Sequence, residues 1–506
     1  MINRYYFIIL LLGFTLVLTQ CSKPNQKQAG PGSAPSAQDA DALQKPPPDI
    51  HKRYNILMIV SDALRQDALG CYGGEAKTPN IDWLASQGAI FNNAYSTSPW
   101  TVPSSVSMLT GNYPTTYTSS PFKKSVQINV PNSELLVAEV LKKMHYQVVA
   151  AVENPHARIH NNFQGFDNTI LDESLKFDTF VPNQRKKRIS AIIKKPLLKS
   201  LVYHNVYVWV DRIMNGDDHN FFYFDWMLDP HMPYDPSPDF GNKIVVDKHK
   251  LPQNEKIYHR PLSPHEKFSD YEKRYNKKLY LAEVESVDER VGMLLRALKF
   301  KKLLSTTYVI FTADHGEQFG EHGQTGHGGF GKHTNYYNTL VKVPLIITGP
   351  SIPPGQKIGN TVSTIGIMPT IKELLGLNYE ESMQGVSFLP LLLGRGIERN
   401  VPLYFVNVVK NEQRDGLLYK NYKLIASSTT NQFELYDLLR DPSELHNIAD
   451  KFPDIVKAMN QRLIVFRKNN ELKLLKNAKR KRNSNFMSSA EQKRTVKKLK
   501  ELGYMK

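Results

Sequence analysis

The apolar, β-branched run Tyr308 to Thr312 leads straight into TADHGEQFGEHGQTGHGG, a glycine- and histidine-rich stretch headed by Asp314 and His315. A buried strand that ends on a carboxylate and an imidazole delivers two metal-ligand side chains, with further imidazoles close behind. It does so at a sheet's C-terminal edge, where open α/β sheets keep their chemistry. That layout restricts the chain to an α/β architecture and predicts a metal-dependent enzyme.

The rest of the pattern agrees. Asn55 to Val60 is a continuous apolar run, fit for a central parallel strand. Helical patterns follow at Ile81 to Gln87 and Ser133 to Met144, the second leading into a strand at Gln147 to Val152. Phe221 to Trp226 and Pro344 to Thr348 are further buried-strand candidates. Leu279, Val284, Val287, Val291, Leu294, Leu295 and Leu298 recur at helical spacing before the strand that ends at Asp314. Strands alternating with helices predict a mostly parallel sheet covered on both faces. After about Asn400 short strand-like runs at Leu403 to Val408, Leu417 to Tyr419, Tyr422 to Ala426 and Phe433 to Tyr436 predict a small antiparallel sheet. No internal repeat is visible.

With 506 residues and 41% hydrophobic content, the chain can build a large core and a smaller companion domain. Met1 to Arg4, the apolar stretch Tyr5 to Thr19 and then Gln20-Cys21 have the layout of a lipoprotein export signal, with Leu18 suited to the recognition box. An apolar span of about 15 residues is short for a crossing helix, which needs about 20. The expectation is an exported protein held at a bacterial membrane by lipid on Cys21, on its periplasmic or cell-surface side; an uncleaved short anchor is the alternative. Ser22 to Asp49, rich in Pro, Gln, Ala and Ser, reads as a tether. Cys21 and Cys71 are the only cysteines, so lipidation of the first excludes an internal disulfide and leaves Cys71 an ordinary semi-buried thiol. Of the net charge of +17, most lies from Lys451 onward, where 17 Lys and Arg face 4 Asp and Glu. This tail and the cluster Arg185-Lys186-Lys187-Arg188 suit anionic headgroups or simply a solvated helix face. The tail's near-lack of stacking aromatics argues against nucleic acid.

Two more positions carry chemistry. Asp62 follows the first strand as Asp314 follows the later one, and parallel strands bring such ends together. A carboxylate capping the next helix is the structural alternative. Thr101 lies in SPWTVPSS, just before helical Val106 to Leu109. It reads either as an N-cap or as a nucleophile, a hydroxyl at a helix N-terminus beside a cation.

Together, the segments NILMIVSDALRQDALGCYG, TPNIDWLASQGAIFNNAYS, PWTVPSSVSMLTGNYP, DPHMPYDP, TADHGEQFGEHG, GHGG, VKVPLIITGP and ELYDLLRDPSELHNIAD resemble the sulfatase family of the alkaline phosphatase superfamily. The likeness runs from about Tyr54 to Asp450, and LKELGY at 499–504 resembles that family's usual ending. It implies an α/β, alkaline-phosphatase-like sandwich with a large mostly parallel central sheet and a small C-terminal antiparallel subdomain. The domains expected are a signal or anchor at 1–21, a linker at 22–50, a catalytic domain at 51–395, the antiparallel subdomain at 396–450 and a basic helical tail at 451–506.

By position, the resemblance implies that Asp62, Asp314 and His315 hold one divalent metal, that Thr101 is the nucleophile touching it, and that His231 contacts the ester or protonates the leaving group. His327 falls where many sulfatases have a lysine that neutralises substrate oxygens. Two carboxylates and an imidazole suit Mn, Zn or Mg better than Ca. A second metal would have to draw on Asp225, Asp229, His231, His322 and His327, but the Asp-x-x-x-His pair of two-zinc relatives is missing. The departures set the chemistry. Sulfatases carry Cys or Ser at the Thr101 position, oxidised to formylglycine, and an arginine at the Ser105 position. Threonine's Cβ bears a methyl group and cannot become that aldehyde, whereas a phosphothreonine can be opened by attack at phosphorus. The expectation is therefore a hydrolase of an anionic phosphate, phosphonate or sulfate ester, lipid- or glycan-linked in one version, with phosphorus preferred. The rivals are a sulfuric ester hydrolase without formylglycine, a membrane phosphoglycerol or phosphoethanolamine transferase, and a non-catalytic surface binding protein.

Overall fold

The structure is a computed structural model that describes residues 53–118, 128, 130–157, 162–167, 182–194, 201–216, 220–242, 244, 268–328, 335–377, 383–396, 401–407, 414–427 and 430–478. Cys21, the expected anchor and tether, and the tail beyond 478 lie outside the described residues. Among those described, no helix is long and apolar enough to cross a membrane.

The strands in chain order are β1 (Asn55–Ser61), β2 (Ala89–Tyr95), β3 (Gln147–Val152), β4 (Phe221–Met227), β5 (Thr307–Ala313), β6 (Gln318–Phe319), β7 (Thr325–Gly326), β8 (Leu345–Thr348), β9 (Gln356–Ser363), β10 (Leu403–Val406), β11 (Arg414–Tyr419), β12 (Tyr422–Ser427) and β13 (Gln432–Asp437). Seven of them form the central sheet in the order β3-β4-β1-β5-β8-β2-β9. The pairs β3-β4, β4-β1, β1-β5 and β2-β9 are parallel, and β8 alone runs against its neighbours β5 and β2.

β1 is buried along its whole length because its alternate side chains enter two different cores. Leu57 and Ile59 meet the helices Pro79–Ser86, Leu201–Asn215 and Asp270–Phe300 on one face. Ile56, Met58 and Val60 meet Val137–Lys143 and Ile367–Leu374 on the other. Each fully buried aliphatic side chain of this kind contributes roughly 1.5–3 kcal/mol. The Asp270–Phe300 helix starts at Ser269, whose hydroxyl accepts from Glu272 N while the Glu272 carboxylate accepts from Ser269 N. Its apolar side chains Leu279, Val284, Val287, Val291, Leu294 and Leu298 pack into the first core as their spacing predicts.

The small sheet, β10-β11-β12-β13, is antiparallel throughout. One face, with Phe405, Leu418 and Ile425, packs on Tyr95, Tyr336 and Leu340 of the larger body. The other, with Leu417, Leu424 and Leu435, is covered by Val456, Met459 and Leu463 of the Pro453–Ala478 helix. Fully buried Lys423 fastens the two bodies: Nζ pairs with Glu444 at 2.6 Å and donates to Tyr336 O at 2.8 Å. Of the basic cluster, Arg185 on the Asn183–Ile193 helix pairs with Asp211 of the Leu201–Asn215 helix. Cys71 is half-buried, its thiol pushed up to about 12 by burial and by Asp82.

Candidate active site

Ser61 and Ala313 are partners in the β1–β5 register, so the next residues, Asp62 and Asp314, leave the sheet side by side at its C-terminal edge. Asp62, Asp314 and His315 are all fully buried. Asp314 Oδ1 accepts from Ala63 N at 3.1 Å and from His315 N at 2.9 Å. Asp62 Oδ2 accepts from Asn154 Nδ2 at 2.7 Å and from Trp226 Nε1 at 3.1 Å. The other oxygen of each carboxylate, Asp62 Oδ1 and Asp314 Oδ2, has no hydrogen-bond partner. His315 Nδ1 lies 2.8 Å from Gly316 O, a carbonyl that can only accept, so Nδ1 carries the proton and Nε2 presents a lone pair. A Cβ on Gly316 would come within 2.2 Å of Thr339 O, so only glycine lets this loop pack where it does.

That lone pair lies 3.6 Å from Asp62 Oδ1 and 3.3 Å from Asp314 Oδ2. The three acceptors, each within 4.8 Å of the others, face one another. Such an arrangement is repulsive alone and fits a divalent cation, whose bonds of about 2.0–2.2 Å set neighbouring ligand atoms roughly 3.0–3.6 Å apart. The donor set is also right for one, two hard oxygens and a borderline nitrogen. Burial, and then the neighbouring Asp314, hold the Asp62 carboxyl well above its usual range; burial pushes Asp314 up to about 7.

This burial predicts a pH dependence of stability. With folded-state values above the unfolded ones, the metal-free protein binds more protons folded than unfolded between pH about 4 and about 7, so its stability falls as pH rises through that window. A bound cation removes the penalty. The Mn2+-induced rise in Tm is expected to be several degrees at pH 7.5 and close to nil at pH 5, as calorimetry would read; an equal rise at both would place the cation elsewhere.

Thr101 is the first residue of the Thr101–Thr110 helix, and the N-cap is Trp100. The capping interpretation of Thr101 therefore fails: the hydroxyl lies 3.3 Å from His315 Nε2 and 3.4 Å from Asn154 Nδ2, beside the Asp62, Asp314 and His315 cluster. Ser105, on the same helix, turns its hydroxyl back onto Val102 O and offers nothing to an anion.

His231 and His327 are brought here too. The His327 ring is 4.5 Å from that of His315 and 4.8 Å from that of His231. His327 Nδ1 is 3.0 Å from Glu317, a fully buried carboxylate that also accepts from Tyr234. His231 Nδ1 meets Met232 O, and burial together with His327 holds its imidazole well below the usual histidine value. The remaining second-metal candidates lie apart. His322 stacks on Tyr337 at 3.6 Å. Asp229 pairs with Arg290 at 3.5 Å, and Asp225 lies buried near the same guanidinium. A cavity of about 460 Å³ between β9 and the small sheet, lined by Tyr113, Tyr404, Phe466 and Lys420, contains none of the site residues.

Sequence reasoning missed Asn154, Trp226 and Glu317. Asn154-Pro155 was legible as a turn after a strand, and Glu317 follows the Asp-His pair directly; Trp226 gave no signal beyond an apolar strand residue.

The sulfatase family model matches residues 54–377, and a model for the C-terminal part of N-sulphoglucosamine sulphohydrolase matches 325–469. Arylsulfatase K of Xenopus laevis is 26% identical over 454 residues, covering 81% of each chain. The uncharacterized sulfatase YidJ of Escherichia coli is 26% identical, over 82% of this chain and 87% of its own. The phosphonate monoester hydrolase of Agrobacterium radiobacter shares the fold with a TM-score of 0.64 at 21% identity, covering 83% of this chain and 96% of its own. With the family match spanning well over half of the sequence and the acidic strand ends in place, this chain belongs to the sulfatase family, ester hydrolases on an alkaline-phosphatase-like fold.

Proposed function

We propose that this protein is a metal-dependent hydrolase of phosphorus esters, a phosphate or phosphonate ester, acting through a covalent intermediate on Thr101. The observation that carries this reading is the Thr101 hydroxyl at a helix N-terminus, 3.3 Å from the free nitrogen of His315. Asp62 Oδ1, Asp314 Oδ2 and His315 Nε2 would hold one Mn, Zn or Mg ion, with the Thr101 oxygen beside it. When bound, such an ion neutralises negative oxygens and makes a nearby hydroxyl easier to deprotonate. The helix N-terminus adds its own partial positive charge.

The side chains then divide the work. Thr101 Oγ, its proton released to solvent, forms the bond to phosphorus as the bond from phosphorus to the ester oxygen breaks. His327, with Nδ1 3.0 Å from the Glu317 carboxylate, is placed to neutralise the anion and to supply the leaving group's proton. His231 has its proton on the nitrogen facing Met232 O, which leaves the other nitrogen to accept one. That favours His231 as the base for the water that opens the phosphothreonine, rather than as the acid of the first step. Threonine also supports phosphorus over sulfur, since no second hydroxyl exists to expel sulfate. Cys21, lipidated after export, would hold the enzyme at a membrane surface.

The test is turnover of aryl sulfate, phosphomonoester, phosphodiester and phosphonate monoester by the purified protein, with chelator and after Mn2+ is restored. Metal-dependent turnover of a phosphorus ester is expected. Turnover of the sulfate alone would overturn the phosphorus preference, and no metal-restored turnover on any of the four would favour a non-catalytic binding protein.

A further inference from the structure

We propose that Asn154 is a positioning residue for both halves of this site: one amide hydrogen fixes Asp62 so that its other oxygen faces the cation, and the second steadies the Thr101 oxygen as it gains charge. The inference rests on the reaction proposed above and adds a side chain to it. Asn154 follows β3 by two residues and is fully buried. Its Oδ1 accepts from His156 N at 3.0 Å, and its backbone carbonyl accepts from Ala157 N at 3.2 Å. This turn locks the side chain and settles which end of the amide is nitrogen, since a backbone N–H must meet the oxygen.

The amide nitrogen carries two hydrogens, and two acceptors lie before it: Asp62 Oδ2 at 2.7 Å and Thr101 Oγ1 at 3.4 Å. Because Trp226 Nε1 reaches the same Asp62 oxygen at 3.1 Å, Oδ2 is saturated while Oδ1 has no donor. Asp62 is thereby held to present a single oxygen toward His315 Nε2. The amide adds no charge, so the carboxylate keeps its full attraction for a cation. The contact to Thr101 is long at rest. An anionic oxygen accepts a shorter and stronger hydrogen bond than a neutral hydroxyl, so this contact gains strength as the nucleophile is deprotonated.

Trp226 separates the two roles, because its single N–H is spent on Asp62 and leaves none to donate to Thr101. For the full-length protein, Asn154→Ala and Trp226→Phe are each expected to weaken Mn2+ binding by about 10- to 100-fold in calorimetry. At saturating Mn2+, kcat of Asn154→Ala is expected to fall roughly tenfold or more below that of Trp226→Phe, with KM changed by less than about threefold. An unchanged Mn2+ affinity in Asn154→Ala overturns the Asp62 role, and equal kcat values in the two variants overturn the Thr101 role. Asn154→Ser keeps an acceptor for His156 N without reaching Asp62; it carries the same expectations if the alanine variant does not fold. A parent protein with no turnover sinks the proposed reaction and the Thr101 role with it, while the Mn2+ affinities still decide the Asp62 role.

Discussion

Thr101→Ala is expected to lower kcat/KM by about 10,000-fold or more while leaving the fold and most of the Mn2+ affinity in place. The loss is large because the substitution removes the covalent route itself. What remains is the attraction of the cation, of His327 and of the helix N-terminus for the ester, with water forced to attack directly. The fold survives because the hydroxyl does not cap its helix, a position held by Trp100, and because Asp62, Asp314 and His315 still converge without it. Thr101→Ser, which keeps a hydroxyl on the same carbon, is expected to retain activity to within about tenfold. Steady-state kinetics on the ester that the parent turns over, with the mass of acid-quenched protein for a phosphoryl adduct, would read both results. Activity in Thr101→Ala within a few fold of the parent would remove Thr101 from the mechanism.

The strands that carry the site were the readable ones, and burial explains why. β1, β4 and β5 lie inside the sheet and β3 at its edge, all four covered on both faces, so each is an unbroken apolar run, and expectation and structure agree to within a residue or two at either end. β2 was missed because Asn92 and Asn93 interrupt it where it turns toward solvent. β9, the sheet's last strand, reads as loop because its middle, Gly359 to Thr361, is exposed and polar. The reversed direction of β8 left no trace in an apolar run that fits either orientation. The helix expected from Ser133 begins only at Val137, since Glu134 N closes a turn onto Pro131 O and Leu136 takes the capping position. At the site, residues that end a strand announced themselves: Asp62, Asp314 and His315. Thr101 was legible as a helix start, although one turn more of helix forms than its neighbours suggested. Asn154, Trp226 and Glu317 reach the site through contacts with Asp62 and His327, and a single chain shows no periodicity for such contacts.

Arg290→Met is expected to destabilise the protein by about 3–5 kcal/mol, read from the denaturant unfolding midpoint, and to lower kcat as well. The guanidinium is fully buried under the sheet edge, with Nη2 2.6 Å from Glu153 Oε1 and Nη1 3.5 Å from Asp229 Oδ2. Removing it strands a carboxylate inside the protein. Glu153 would keep only neutral donors, Asn205 Nδ2 at 3.0 Å and Leu228 N at 2.7 Å. Breaking one partner of such a pair costs more than the pair itself contributes, so Arg290→Met with Glu153→Gln should recover over half of the loss. The effect on rate follows from sequence position: Glu153 precedes Asn154, and Asp229 lies two residues before His231. One arginine therefore ties together the loops after β3 and β4 that carry Asn154 and His231. Asp229 sits at about 6, raised by burial against the pull of Arg290, so without that pull it would take up a proton more readily and loosen further from its place. A loss of stability below about 1 kcal/mol would mean that water already reaches these charges, and the loops would then need another tether.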